Sequence, residues 1–126
     1  MNQKVLIIDD ENSIRQILEI ALEDTWDVTL ASSGQEGIDR AIQIKPDLIL
    51  LDRMMPGLDG LATLKELRSR EDTSKIPVIF LTAKVQTGDM KDYDDQDVVG
   101  VLSKPFDPMS IGDDIVELLS KVNSGA

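Results

Sequence analysis

Four short apolar runs, each stopped by a polar side chain, constrain the fold of this chain more than any other feature. Val5-Leu6-Ile7-Ile8 runs into Asp9 and Asp10, and Leu48-Ile49-Leu50-Leu51 into Asp52. Val78-Ile79-Phe80-Leu81 runs into Thr82, and Val98-Val99-Gly100-Val101-Leu102 stops one residue before Lys104. Runs this short and this continuously apolar read as strands buried on both faces, the mark of a parallel sheet covered by helices. With the strands parallel, the five polar side chains gather at one carboxyl edge, where open α/β sheets bind ligands.

The segments between the runs carry helical patterns. Ile14, Ile17, Leu18, Ala21 and Leu22 mark one face of a first helix. Residues 26–30 read as a further short strand, second in chain order, with Trp26 as packing. Ser33 with Glu36 three residues on has the spacing of a capping box, for a helix that turns Ile38, Ala41 and Ile42 inward. Lys45-Pro46 ends it. A third helix carries Leu61, Leu64 and Leu67.

A weaker helix is expected over about residues 86–96, where Gly88, Asp89, Asp92, Asp94 and Asp95 all lower helix propensity. It is expected to be the least stable of the five and the place where a change of state is expressed. Asp107-Pro108 supplies an N-cap and a first-turn proline for a last helix whose inner face is Ile111, Ile115, Leu118, Leu119 and Val122. Five βα units predict an α/β fold, a five-stranded parallel sheet with helices on both faces. At 126 residues the chain, 1–126, fits a single domain.

Composition removes several functions. With 13 basic against 24 acidic residues the net charge is −11, which argues against direct contact with a nucleic-acid backbone. The chain has no cysteine, so it has no disulfide framework or thiolate metal site, and it fits a reducing compartment. It has no histidine either, which removes Ser-His and Cys-His catalysis, imidazole ligation and any phosphohistidine of its own. The first apolar stretch ends at Asp9, too soon for a signal peptide, and no run approaches membrane-spanning length. A cytoplasmic location without membrane contact is the expectation.

Each polar residue at the edge has an ordinary reading and a chemical one. Adjacent acids such as Asp9-Asp10 are commonly solvated turn residues or helix caps. Directly after an apolar strand they face the crevice instead, where carboxylate oxygens suit Mg²⁺. Asp52 has no helix to cap, since Pro56-Gly57 follows before the next one starts. A carboxylate there is able to accept a phosphoryl group as a mixed anhydride, with a metal neutralising the charge. Thr82 alone is only a β-branched strand end, but its hydroxyl is a donor for a phosphoryl oxygen. Lys104 brings a point charge to the same edge, and the Lys104-Pro105 bond is a candidate cis peptide. Met54 and Met55 invite a reading as partner surface, but adaptable filler is the expectation.

Four separated motifs now stand in order: Ile7-Ile8-Asp9-Asp10-Glu11, the run from Leu51-Asp52-Arg53-Met54-Met55-Pro56-Gly57 through Leu58-Asp59-Gly60, Leu81-Thr82-Ala83-Lys84, and Ser103-Lys104-Pro105-Phe106. With them the sequence resembles a receiver domain of two-component response regulators over essentially its whole length. The resemblance implies a flavodoxin-like doubly wound (βα)5 fold with strand order 2-1-3-4-5. It makes Asp52 the phosphoacceptor, and Asp9, Asp10, Asp52 and the backbone carbonyl of Met54 the Mg²⁺ ligands. Thr82 becomes the switch hydroxyl and Lys104 the phosphate-binding lysine.

The implied partners are a sensor histidine kinase or histidine phosphotransfer protein and a downstream effector protein. The expected response is a changed surface around the fourth predicted helix, the fifth strand and the fifth predicted helix. The chain departs from many receivers at Val101, where an aromatic residue is common, and at Asp97, where a glycine often stands. Phosphatases of the haloacid dehalogenase type use similar groups. Their signature separates two aspartates by one residue after the first strand, whereas here Asp9 and Asp10 are adjacent.

Overall fold

The structure is a computed structural model and describes residues 3–82 and 98–124, with side chains as far as residue 120. Its five strands are β1 (Gln3–Ile8), β2 (Trp26–Ala31), β3 (Leu48–Asp52), β4 (Val78–Thr82) and β5 (Gly100–Ser103). They form one parallel sheet in the order β2-β1-β3-β4-β5. The helices among the described residues are α1 (Asn12–Leu22), α2 (Gly34–Ile44), α3 (Gly60–Ser69) and α4 (Ile111–Ser124). The helix expected over 86–96 lies outside the described residues, as do Ala83, Lys84 and Asp97.

Strands apolar on both sides need a helical layer on each face, and the core divides accordingly. Leu6, Ile8, Ile49, Leu51, Val78 and Phe80 pack with Ile38 and Ala41 of α2 and with Leu64 and Leu67 of α3. Val5, Ile7, Leu48, Leu50, Ile79 and Leu81 pack with Leu18 and Leu22 of α1 and with Ile111 and Ile115 of α4. Trp26 belongs to this second cluster, as packing on β2. Each fully buried aliphatic side chain stabilises the fold by about 1.5–3 kcal/mol, so the two layers fix which face of each strand looks where.

The helix ends show how local sequence sets the frame. Ser33 Oγ accepts from Glu36 N at 3.1 Å. Glu36 Oε1 in turn accepts from Ser32, from its N at 2.6 Å and its Oγ at 3.0 Å, so the reciprocal half of the capping box reaches one residue further back than expected. These two bonds from Ser32, with smaller help from Arg40 and Arg15, hold the Glu36 carboxyl below the usual range against a small opposing effect of burial. The last helix differs from expectation. Asp107 Oδ1 accepts from Met109 N at 2.9 Å and its carbonyl from Ser110 N and Ile111 N at 3.0 Å. Asp107 therefore caps a turn, and α4 proper begins only at Ile111.

Two apolar signals were broader than the elements behind them. Val98 and Val99 precede β5, although Val99 N already donates to Val78 O at 2.8 Å. The strand starts two residues after its apolar pattern does, ends one residue beyond it, and delivers Lys104 directly from its end. On α1, Leu18 and Leu22 are buried with Ile14 and Ala21 partly covered, while Ile17 is 38% exposed. Ile17 stands about 100° round the helix from Leu18, and the sheet covers a narrower stripe than five apolar residues suggest.

Candidate functional site

Strand register brings the polar residues together. Ile8 pairs with Leu51, so Asp9, next after β1, falls beside Asp52 at the end of β3. Thr82 ends β4 opposite Ser103, and Lys104 N donates to the Thr82 carbonyl at 2.8 Å. Asp9, Asp52 and Thr82 are buried, whereas Asp10 is exposed. The Lys104-Pro105 peptide is cis.

Lys104 is the hub. Its Nζ lies 2.9 Å from Asp9 Oδ2, 3.3 Å from Asp52 Oδ1 and 3.9 Å from Glu11 Oε1. Burial pulls its pKa down, but the hydrogen bond and charge of Asp9, with those of Asp52, outweigh this and leave it above the ordinary value. The ammonium is therefore a fixed cation at any physiological pH. Asp9 is held from two sides, since its Oδ1 accepts from Glu11 N at 2.9 Å.

Asp52 Oδ1 also accepts from Met54 N at 3.2 Å. Neither that bond nor Lys104 compensates for its surroundings. Burial first, then the Asp9 charge, push the Asp52 carboxyl up to about 7, with a hydrogen bond to Asp10 acting the same way. One carboxylate oxygen from each of Asp9, Asp10 and Asp52 lies within 4.8 Å of the others. Three acids around one ammonium leave negative charge uncompensated, and an all-oxygen donor set suits a hard divalent cation. The acidic pocket is thus able to hold a metal.

The loop after β3 is closed by its own backbone. Arg53 N donates to Leu81 O at 2.9 Å and Gly60 N to Arg53 O at 3.0 Å. A Cβ on Gly60 would lie 2.5 Å from the Asp52 carbonyl oxygen and 2.6 Å from Arg53 Cα, so only glycine lets α3 start this close to the site. Asp59 caps α3 by accepting from Ala62 N at 2.9 Å. Between these anchors the two methionines separate. Met55 is buried in the α2/α3 core, as filler should be, but Met54 is 67% exposed and fills nothing.

All five sequence-identified side chains therefore meet at one edge, and Met54 stands next to them in the chain. Glu11 and Asp59 were not singled out from the sequence. The acidic run Asp9-Asp10-Glu11 was a visible signal for the first, and Asp59 directly before the first glycine of a helix was one for the second.

A doubly wound parallel sheet with an acid-rich, lysine-centred crevice at its carboxyl edge defines the class of phospho-accepting signalling switches. The comparisons agree. The model of the response regulator receiver domain matches residues 5–116, and the chain belongs to that family.

Over 122 residues it is 37% identical to the alkaline phosphatase synthesis transcriptional regulatory protein PhoP of Bacillus subtilis, covering 96% of this chain and 50% of that protein. It is 38% identical to the DNA-binding dual master transcriptional regulator RpaA of Synechocystis, covering 96% of this chain and 48% of that one. The chain spans about half the length of the curated relatives it matches. Among solved structures, the chemotaxis protein CheY4 of Vibrio cholerae has a TM-score of 0.88 at 28% identity, covering 94% of this chain and 99% of that one.

Proposed function

We propose that Asp52 is the phosphoacceptor of this receiver domain and that Asp9, Asp10, Asp52 and the main-chain carbonyl of Met54 hold Mg²⁺ beside it. One observation carries the reading: Asp52 stands at the end of the central strand with its Oδ1 3.3 Å from the Lys104 ammonium, inside a cluster of three carboxylates. When bound, the cation neutralises charge on the carboxylates and on the incoming phosphoryl oxygens. It thereby favours the ionised form of Asp52.

The donor is a phosphohistidine of a sensor histidine kinase or a histidine phosphotransfer protein. One carboxylate oxygen of Asp52 bonds to phosphorus as the P–N bond breaks. The electron pair stays with the departing nitrogen, and because the other nitrogen of the phosphoimidazole carries a proton, the ring leaves as neutral imidazole. Lys104 is within reach of an oxygen on the new acyl phosphate, and the Thr82 hydroxyl donates a hydrogen bond to another. The domain catalyses only its own phosphotransfer and dephosphorylation.

The acyl phosphate carries about −2 of charge where the ionised carboxylate carried a single negative charge, and Thr82 and Lys104 reorganise around it. The surface that answers is that around β5 and α4, and it changes the affinity for a downstream effector protein. Val101 is aliphatic and partly buried against the α2/α3 core, so the response is a change in local order rather than the movement of a ring.

Residues 1–126 act as one receiver domain. RpaA is named as DNA-binding, but the net charge of −11 supports a domain that does not itself grip nucleic acid. No helix among the described residues is long and apolar enough to cross a membrane. We place the protein in the cytoplasm, on the strength of its cysteine-free composition.

Incubation with Mg²⁺ and acetyl phosphate is expected to add one acid-labile phosphoryl group, and Asp52→Asn to abolish it, because an amide is not a competent nucleophile. Full labelling of the variant would refute the assignment. Metal binding has its own check. A ligand selective for the native state stabilises by about 2.7 kcal/mol at a hundredfold excess over Kd. Mg²⁺ should therefore raise Tm in the wild type and much less in Asp10→Ala. Equal rises would place the metal elsewhere.

A further inference from the structure

We infer that Arg15 is a positioning residue for the acidic loop, acting through the main-chain carbonyl of Asp9; the inference rests on the reading of Asp9 and Asp10 as cation ligands. Arg15 Nη1 donates to that carbonyl at 2.7 Å, and Nη2 donates to Asn12 Oδ1 at 3.3 Å. The two bonds fix the guanidinium plane, and through it the peptide plane that joins Asp9 to Asp10. A charged donor on a backbone carbonyl is among the stronger hydrogen bonds.

Asp9 is then gripped at every polar atom. Its N donates to Ala31 O at 3.1 Å, Oδ1 accepts from Glu11 N at 2.9 Å, Oδ2 meets Lys104 Nζ at 2.9 Å, and its carbonyl belongs to Arg15. The exposed Asp10 carboxylate is hydrogen-bonded to Asp52 within the same cluster, and its main chain joins Asp9 through the peptide plane that Arg15 holds.

Helix stability does not explain the arginine. Arg15 N donates to Glu11 O at 3.1 Å, so the residue sits in the first turn of α1, where a cation opposes the helix dipole. That first turn carries no acid, and Glu11 at the N-cap makes no side-chain capping bond. Ser33 and Asp59, by contrast, do cap α2 and α3. A helix start that breaks local rules while its cation reaches back to the site loop is explained by the loop. Partners of this kind, one step behind the ligands, typically account for ten- to hundredfold in metal affinity.

The test compares Mg²⁺ titrations by calorimetry with amide exchange in metal-free buffer for the wild type, Arg15→Met, Arg15→Lys and Asn12→Ala. Arg15→Met is expected to weaken Mg²⁺ about tenfold or more and to speed exchange at the amides of Asp10 and Glu11 before any metal is added. Arg15→Lys keeps one charged donor without the fork and should fall between Arg15→Met and the wild type. Asn12→Ala should show a smaller loss. A lowered Tm with unchanged Mg²⁺ affinity in Arg15→Met would reduce Arg15 to a structural residue and overturn the inference. Should that variant fail to fold, wild-type affinity in Arg15→Lys would overturn it as well. Absence of Mg²⁺ binding by the wild type would instead bring down the reading of the acids, and this inference with it.

Discussion

Lys104→Met is expected to destabilise the metal-free protein by about 3–5 kcal/mol near pH 8, the usual cost of removing one partner from a buried ion pair. Methionine keeps the apolar stem, so the loss isolates the charge. Asp9 Oδ2 is fully buried, and the ammonium at 2.9 Å is the partner described for it; Asp52 loses its counter-charge in the same substitution. The two acids then repel across a small gap, and the Asp52 pKa rises further above its ordinary value. An acid whose folded pKa is raised holds its proton at low pH, and its stabilising proton is lost as pH rises through the folded pKa. The penalty should accordingly shrink near pH 5. Urea unfolding at both pH values decides it. An equal loss at the two would mean that only the packing of the stem matters.

Asp52→Asn is expected to act in the opposite direction. With the carboxyl pushed from 3.8 to about 7 by burial and by Asp9, the wild-type fold progressively loses stability as pH rises across that window. The crevice opens to water at Asp10, so solvent screening reduces the full effect to roughly 2 kcal/mol. In metal-free buffer the variant should match the wild type near pH 4. It should pull ahead between about 4 and 7, and keep a constant advantage above that. Saturating Mg²⁺ should narrow or reverse the difference, because the wild type gains more from the cation. A variant less stable than the wild type near pH 8 without metal would mean that Lys104 already satisfies Asp52.

Much of this was visible in the sequence, for a definite reason. A parallel sheet covered on both faces needs uninterrupted apolar strands, so their ends are sharp. Asp52 and Thr82 could be placed at the edge by reading where Leu51 and Leu81 stop. The site followed, because parallel register carries all strand ends to the same side. The degree of burial did not follow. Val5 to Ile8 are buried on both faces, so alternation gives no parity from which to tell that Asp9 is buried while Asp10, in the same carboxylate cluster, stays exposed.

Other misses share that cause. Ile17 and Met54 have the composition of core residues, yet they stand just past the edge of what a neighbouring element covers. The contact of Arg15 with a backbone carbonyl has no periodic trace, since its partner offers no side chain to the pattern. Asp107 had the chemistry of a cap and is one, but a turn stands between it and α4, which composition alone does not reveal.

The most direct measurement of the central claim is borohydride trapping of the protein after incubation with Mg²⁺ and acetyl phosphate. An acyl phosphate is reduced to the alcohol, which marks the acceptor aspartate by mass in a peptide map. The account predicts a single reduced aspartate, at Asp52. Reduction at Asp9 or Asp10, or a phosphoryl group recovered on a hydroxyl such as Thr82, would contradict it.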